Sequence, residues 1–483
     1  MNKNGSLYYL GVGIVIVGFM QILLIIFAML MRDQTSIISF FGASILSLFC
    51  GATLILATRG NFDQLGRLDS ILLLVYFWAI IPIFAAIPFY SYLGSFASSY
   101  IEVISALTTT GASVIETNRY IPNSLFLWRN ILAWSGGLLT ITMVILILAP
   151  LGIGGLQDRS SKFLGSKYNE NNNFMPVITM VGGVYSAITF ILIVALMLVG
   201  ARGLDATNII MSTISTSGYN VNRIGFGYYD SIYSVIIIAF SMLVGAGLII
   251  VFFRPFINVK VRLNFNIELK LFVIICVLFA LMLSLYSHFN KQTDLITSSG
   301  YYFYALFDAV SILSTTGLIY NTDWQPINFY YVLAFIGGAS FTTAGGMKLF
   351  RLIILLKHAK IEVNQLIYPS SVSSNRFLDM RLDTKFMRLI WSFFIAYMFL
   401  IVVLSVIVAS YNYNLNTSLL NAIGAVANIG PMADFMLAKG QDVTPFNELE
   451  TSLQLILCVG MILGRLEVLS VLGLLNLAYW KNR

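Results

Sequence analysis

The sequence predicts an all-α polytopic membrane protein: four pseudo-repeated units around a central pore, preceded by one extra pair of transmembrane helices. Three observations carry that expectation. Of the 483 residues, 58% are hydrophobic and only 10% charged, with a mean hydropathy of +0.86, whereas soluble domains carry about a quarter charged residues. Apolar runs long enough to cross about 30 Å of hydrocarbon recur along the chain. Between them a polar, glycine-containing turn returns four times.

The apolar runs place spanning helices at about 7–31, 37–58, 68–93, 126–151, 176–200, 232–254, 268–289, 329–357, 386–410 and 452–480. Only Lys3 precedes the first as a charge, and no small-residue cleavage site follows it, so it reads as a retained span. Four shorter segments, about 98–110, 205–217, 302–316 and 416–429, are too short to cross. They read as re-entrant helices, which a bilayer tolerates only where protein or a water-filled pore covers the exposed backbone. Cys50, Cys276 and Cys458 all lie inside apolar runs and read as small core residues, not disulfide partners.

The four turns are ISALTTTGAS around Gly111, MSTISTSGYN around Gly218, VSILSTTGLI around Gly317 and AIGAVANIGP around Gly430. They recur roughly every hundred residues, each after a spanning helix and a short helix, and such a period decides the architecture. The expected units are 1–65 (an N-terminal hairpin), 66–170, 171–262, 263–365 and 366–483. Nine residues before the glycine stand Glu102, Asp308 and Asn421; the second repeat has Ile209 there, with Asn208 one place earlier.

Charge sets the expected orientation. With the N-terminus inside, most of the 28 lysines and arginines fall on the cytoplasmic side and only a minority, Arg129 among them, outside. The positive-inside rule then makes both termini cytoplasmic and faces all four turns outward. The net charge of +7 is therefore spent on topology and anionic lipid, with no nucleic-acid signal. The outer side has an excess of acids, which concentrates cations at the mouth.

Four such turns around one axis imply a chemistry. Glycine permits backbone angles that aim carbonyl oxygens at the axis, and a ring of carbonyls can replace the water shell of a dehydrating monovalent cation. The C-terminal ends of the short helices add partial negative charge. The candidate ion-binding residues are Thr109, Thr110 and Gly111; Thr216, Ser217 and Gly218; Thr315, Thr316 and Gly317; and Asn428, Ile429 and Gly430. With two histidines, His288 and His358, and no cysteine cluster, transition-metal transport fits poorly. A single glycine per turn, where a TVGYG stretch has two, implies a short filter with less sharp discrimination.

Two further features stand below these turns. The run Gly337-Gly338-Ala339-Ser340-Phe341-Thr342-Thr343-Ala344-Gly345-Gly346, closed by Lys348, is too rich in small and hydroxyl residues for a plain helix. A close-packing helix face and an irregular loop both account for it. Arg465 lies deep in an apolar run, where ionisable residues are usually functional and paired. It reads as a pore-facing electrostatic barrier, with an ion pair between repeats as the structural alternative. Glu467, two residues on, is not its automatic partner on a helix.

These turns, with WSGG at Trp134–Gly137, APLGIGGLQ after it, LSTTGLIYNTDW, GGASFTTAGGMK and GRLEVL, resemble the TrkH-type subunit of the Trk/Ktr/HKT superfamily of potassium transporters. The resemblance covers essentially the whole chain, and the extra N-terminal helix pair favours the Trk branch. The second turn has Ser217-Gly218 where relatives often carry a glycine pair, the third Leu318 for phenylalanine, the fourth Asn428-Ile429-Gly430-Pro431 for two asparagines, and LLT follows WSGG. The resemblance implies potassium uptake across a bacterial inner membrane, with no cofactor in this chain. It also implies a mobile loop at Gly337–Lys348 across the pore, a homodimer, and gating by a TrkA-like cytoplasmic nucleotide-binding subunit docked near Lys357–Arg388. A sodium-permeable or cation-coupled transporter shares every one of these signals. A membrane enzyme does not: the chain has no HExxH and no catalytic cluster.

Overall fold

The apolar run at the N-terminus folds into α1 (Lys3–Leu30), which turns at Arg32 (φ 57°) into α2 (Gln34–Ala57). Asp33 makes the corner: its carboxylate accepts from the Ser36 N–H at 3.3 Å, capping α2, and from Ser124 Oγ at 2.5 Å. The two helices approach closely at glycine, for a Cβ on Gly51 would lie 3.0 Å from the Gly11 carbonyl. In the computed structural model the described residues are 3–60, 67–116, 120–148, 175–219, 231–253, 265–291, 295–320, 327–368, 376–377, 380–381, 384–438 and 442–467.

The next helix, α3 (Arg67–Leu93), carries Pro82 and Pro88 in its interior. Pro88 has no N–H for the Phe84 carbonyl one turn back. Gln21 of α1, fully buried, donates to that carbonyl at 3.1 Å and accepts from Ser47 Oγ of α2 at 3.1 Å. Trp128 Nε1 serves the Ala85 carbonyl and Tyr100 OH that of Ala79. At Phe84 a neighbouring helix thus satisfies the carbonyl that proline frees, as hydrocarbon demands; the Gln21 bond fastens the hairpin to the first repeat, and those of Trp128 and Tyr100 tie the next two helices to α3.

That repeat continues with the short helix α4 (Phe96–Leu107), its turn, and α5 (Asn123–Met143), which runs on as a π turn at Val144–Leu148. The second repeat is α6 (Met175–Leu198), short α7 (Gly203–Ile214) and α8 (Ile232–Leu243), extended through a π turn at Val244–Leu248 into α9 (Ile249–Phe253). The third is α10 (Phe265–Lys291), α11 (Leu295–Leu313), α12 (Ile327–Ile336) and α13 (Leu349–Ile367). Two-residue strands β1 (Arg376–Phe377) and β2 (Met380–Arg381) pair antiparallel before the fourth. It comprises α14 (Thr384–Ser410), short α15 (Leu415–Ala427), α16 (Met432–Ala438), a 3-10 turn at Phe446–Glu448 and α17 (Thr451–Arg465).

Seven helices among the described residues are long and apolar enough to cross a membrane, fewer than the apolar runs suggest. The expected span at 329–357 breaks after Ile336, where Gly337 (φ 72°), Phe341 (φ 58°), Gly346 (φ 77°) and Lys348 (φ 75°) leave the helical region. The span at 232–254 is interrupted by its π turn, and 468–480 lies outside the described residues. Helix α11 starts seven residues ahead of the expected 302, making the third short helix the longest of the four. Helices α4 and α15 begin on Ser95 and Asn414, whose side chains accept from Ser98 and Thr417 N–H groups. From Ile101 to Leu107, α4 is completely enclosed by protein.

Candidate functional site

Each short helix ends in the same backbone device. The N–H before the glycine bonds to the carbonyl five residues back: Thr110 to Ser105 (2.8 Å), Ser217 to Ser212 (2.9 Å), Thr316 to Ser311 (2.9 Å) and Ile429 to Gly424 (2.8 Å). This is the long bond of a Schellman ending, which requires a left-handed residue just before it. Glycine is the usual choice, yet here that residue is Thr109 (φ 54°), Thr216 (φ 59°), Thr315 (φ 63°) and Asn428 (φ 57°). A β-branched residue there is an outlier costing roughly 1–3 kcal/mol, and its hydroxyl is bonded in each case, by tertiary partners at Thr109 and Thr315 and locally at Thr216. Thr109 Oγ1 accepts from Arg465, Thr315 Oγ1 accepts the Gly345 N–H at 2.8 Å, and Thr216 Oγ1 donates to the Ser215 carbonyl at 2.7 Å. Hydroxyls flanking the left-handed residue pair in three turns: Thr108 with Thr110 and Ser314 with Thr316, both at 2.8 Å, and Ser215 with Ser217 at 3.3 Å.

The glycines close a ring in chain order. A Cβ on Gly111 would strike the Ser217 carbonyl, one on Gly218 the Thr316 carbonyl, and one on Gly430 the backbone of Gly111 and Ala112; one on Gly317 would sit 2.9 Å from Ile429 Cγ2. Gly111, Gly218 and Gly317 have φ of 80°, 72° and 78°. No side chain fits at these positions, sterically or conformationally. The twelve residues expected to line an ion path are therefore brought together, and all are buried except partly exposed Gly430.

Behind the ring, the polar residues nine places before the glycine have defined work. Glu102 accepts from the Val114 N–H (2.9 Å), three residues past Gly111, and Asp308 accepts from the Tyr320 N–H (2.7 Å), three past Gly317. Asn421 donates to the Thr444 carbonyl, while in the second repeat Asn208 accepts from Asn130 at 3.1 Å. Glu102 also pairs with Arg129 at 2.9 Å, both essentially inaccessible. The Arg129 guanidinium lies 4.3 Å from the Tyr219 ring centroid, and Tyr219 OH donates to Ser105 Oγ at 3.1 Å. Assigning Arg129 to an outer segment by charge counting missed this brace, because the balancing carboxylate is remote in sequence.

The break in the third repeat docks beneath the ring. Ala339 N–H donates to the Ala246 carbonyl (2.9 Å); Thr343 N–H and Oγ1 donate to that of Gly245 (3.2 and 2.9 Å). Those acceptors lie in the π turn, where Ile249 N–H bonds five residues back to Val244; a π turn leaves carbonyls without their usual helical partners. Glu268 of α10 accepts the Ser340 N–H at 2.8 Å, and Lys348 Nζ donates to the Ala344 carbonyl. Gly337 and Gly346 lie face to face, a Cβ on one falling 2.8 and 2.6 Å from the other's Cα, and a Cβ on Gly338 would be 2.5 Å from Ala344 Cβ. The segment is thus a folded loop, not a small-residue helix face.

Arg465 is 5% exposed and donates to Thr109 Oγ1, joining the fourth repeat to the first turn. Among the described residues no carboxylate pairs with it; Glu467 instead holds Arg351 at 2.6 Å. Sequence reasoning also missed a second set of glycines. A Cβ on Gly136, Gly245 or Gly464 would strike the Leu107, Ile214 or Val426 carbonyl, each four residues before a ring glycine. WSGG and GRLE contain the signal, but only the fold shows that these glycines let the long helices press on the short ones.

This geometry has close counterparts. The chain is 28% identical over 476 residues to the Trk system potassium uptake protein TrkH of Vibrio parahaemolyticus, covering 94% of each chain. It is 28% identical over 469 residues to the Trk system potassium uptake protein TrkG of Escherichia coli, again 94% of each. The crystal structure of the potassium transporter TrkH from Vibrio parahaemolyticus superposes with a TM-score of 0.87 at 25% identity, over 99% of this chain and all of that one. The TrkH family model, described as a cation transport protein, matches residues 36–477. Sequence and fold agree, and the chain belongs to the TrkH family of cation transport proteins.

Proposed function

We propose that this chain is a potassium uptake pore of a bacterial inner membrane, with both termini in the cytoplasm. The observation that carries this is the closure of four left-handed turns into one ring. The carbonyls of Ser217 and Thr316 lie directly against the glycines of the preceding turns, an arrangement suited to replacing the hydration shell of an alkali ion. Thr109, Thr110 and Gly111, with the nine matching residues of the other turns, form the filter. Helix C-termini at the same place add favourable partial charge.

Gating belongs to the loop 337–348 and Arg465. The loop is held by hydrogen bonds from Ala339, Ser340 and Thr343 to neighbouring helices and by the burial of Phe341, Ala344 and Met347, so its release exchanges a defined set of bonds and contacts as one unit. Arg465 places a fixed charge under the first turn, raising the barrier to a cation passing there. Regulation by a TrkA-like nucleotide-binding subunit at the basic stretch Lys357–Arg388, and assembly as a homodimer, are what the resemblance of the motifs to the Trk branch implies. Part of that stretch lies outside the described residues.

The test is ion flux into liposomes under opposed potassium and sodium gradients, comparing the parent with Gly317→Ser. A side chain at φ 78°, 2.9 Å from Ile429, should abolish potassium flux. Equal flux in parent and variant removes the third turn from the pathway. Sodium flux equal to potassium flux in the parent selects the sodium-permeable alternative.

A further inference from the structure

The fourth turn is built differently from the other three. Gly430 is the ring glycine that does not adopt the left-handed conformation. Its N–H donates to the Thr110 carbonyl at 2.6 Å, so the filter carbonyl of the first turn carries an amide proton. No hydroxyl pair supports this turn, since Ala427 and Ile429 stand where the others have serine or threonine. After Gly430 the chain enters α16 at Met432, whereas the described residues that follow Gly111 and Gly317 form no helix.

Those differences put Pro431, which is buried, across the other three repeats. A Cβ on Gly111 would be 3.2 Å from Pro431 Cδ, one on Gly218 3.0 Å from Cγ, and one on Gly317 3.3 Å from Cδ. A single ring reaching the glycines of repeats one, two and three must lie over their common centre. It lies past the glycines in chain order, whereas Thr109 and Thr315, before them, meet Arg465 and the gating loop. Proline fixes its own φ and its ring carries no polar atom, so the ring itself supplies a cation no ligand and has little freedom to move aside alone.

We infer that Pro431 is the size-selecting residue at the outer entrance of the filter: its pyrrolidine ring narrows the aperture that the glycines of the other three turns leave open. The inference rests on reading the ring as the ion path. It predicts discrimination by ionic radius at a rigid apolar edge, in addition to discrimination by carbonyl coordination deeper in. Ions larger than potassium are penalised most.

The experiment compares potassium, rubidium and caesium influx into liposomes containing the parent chain or Pro431→Ala. The expected result is a rise of about tenfold in the caesium-to-potassium ratio, with rubidium intermediate, the effect of one decade of barrier on the largest ion. Unchanged ratios, or equal changes for all three ions, in a P431A protein with parental thermal unfolding overturn the inference. Should P431A fail to fold, Pro431→Cys is treated from outside with a small cationic methanethiosulfonate, the parent serving as control for its native cysteines. Loss of influx supports the position over the aperture, and modification without loss overturns it. A parent that carries no alkali ion removes the pore reading itself; a conducting parent with unchanged variant ratios removes only the role of Pro431.

Discussion

Three threonines in a glycine's conformation define the site at the scale of single residues. Thr109 and Thr315 hold left-handed backbones because Arg465 and the Gly345 N–H bond their hydroxyls. Strain of this kind persists only where its surroundings over-determine it. Thr315→Val keeps the shape but removes the acceptor, leaving the Gly345 N–H unpaired at a cost of about 1–3 kcal/mol. It should raise the fraction of time the pathway conducts, read as single-pore open probability. Arg465→Ala should increase conductance in reconstituted bilayers, and an unchanged current would leave Arg465 a purely structural residue. The Glu102–Arg129 pair is a different case. Glu102→Gln strands a buried guanidinium at about 3–5 kcal/mol, seen as lower thermal stability, and loosens the first turn through Val114, seen as a lower potassium-to-sodium flux ratio.

Irregularity is placed deliberately at the scale of elements. The π turn in the second repeat and the broken helix in the third are complementary: one exposes the Gly245 and Ala246 carbonyls, the other supplies the Thr343 and Ala339 N–H groups. Neither partner is legible alone, since VGAGL reads as an ordinary glycine-containing helix and GGASFTTAGG reads equally well as a packing face. Thr343→Val deletes the hydroxyl bonds to Gly245 and Ile214 while keeping the volume. The loop should then show faster amide hydrogen exchange at Ala339–Gly345 than the parent, with exchange in α4 unchanged. The N-terminal hairpin offers a pH readout. Partial burial pushes the Asp33 carboxyl up, but hydrogen bonds from Ser124, Ser36 and Thr35 outweigh it, leaving its pKa below the usual carboxylate range. Its stabilisation is therefore present above the ordinary carboxylate pKa and is lost as pH falls through the lowered one. Asp33→Asn should lower thermal stability near neutral pH, and the deficit should vanish in strong acid.

At the scale of the whole molecule the four turns meet in one ring, and the third and fourth units depart from the pattern of the first two. The charge distribution expects Asn416, at the start of α15, to face outward and Glu362, in the second half of α13, to face the cytoplasm. A membrane-impermeant thiol reagent should label Asn416→Cys from outside only and Glu362→Cys from inside only; the reverse pattern inverts the orientation. Both sites are exposed, so neither substitution disturbs packing. Among the described residues, the third unit opens its second helix into a loop, and in the fourth Pro431 packs against the glycines of the other three turns.

How much of this was written in the sequence follows from the range of the interactions. Hydropathy, the four glycine turns and the short helices before them depend on neighbours within a few residues, so they were legible, as were Gly337–Gly346 and Arg465 as oddities. The partners were not. Arg129 with Glu102, Arg351 with Glu467, Thr343 with Gly245 and Pro431 with three glycines meet across tens to hundreds of residues. Local composition marked most of the long apolar helices, the short helices between them and the places where backbone freedom is needed. Only the tertiary structure decided which buried polar groups satisfy one another, because that choice is a property of surfaces brought together and not of any segment alone.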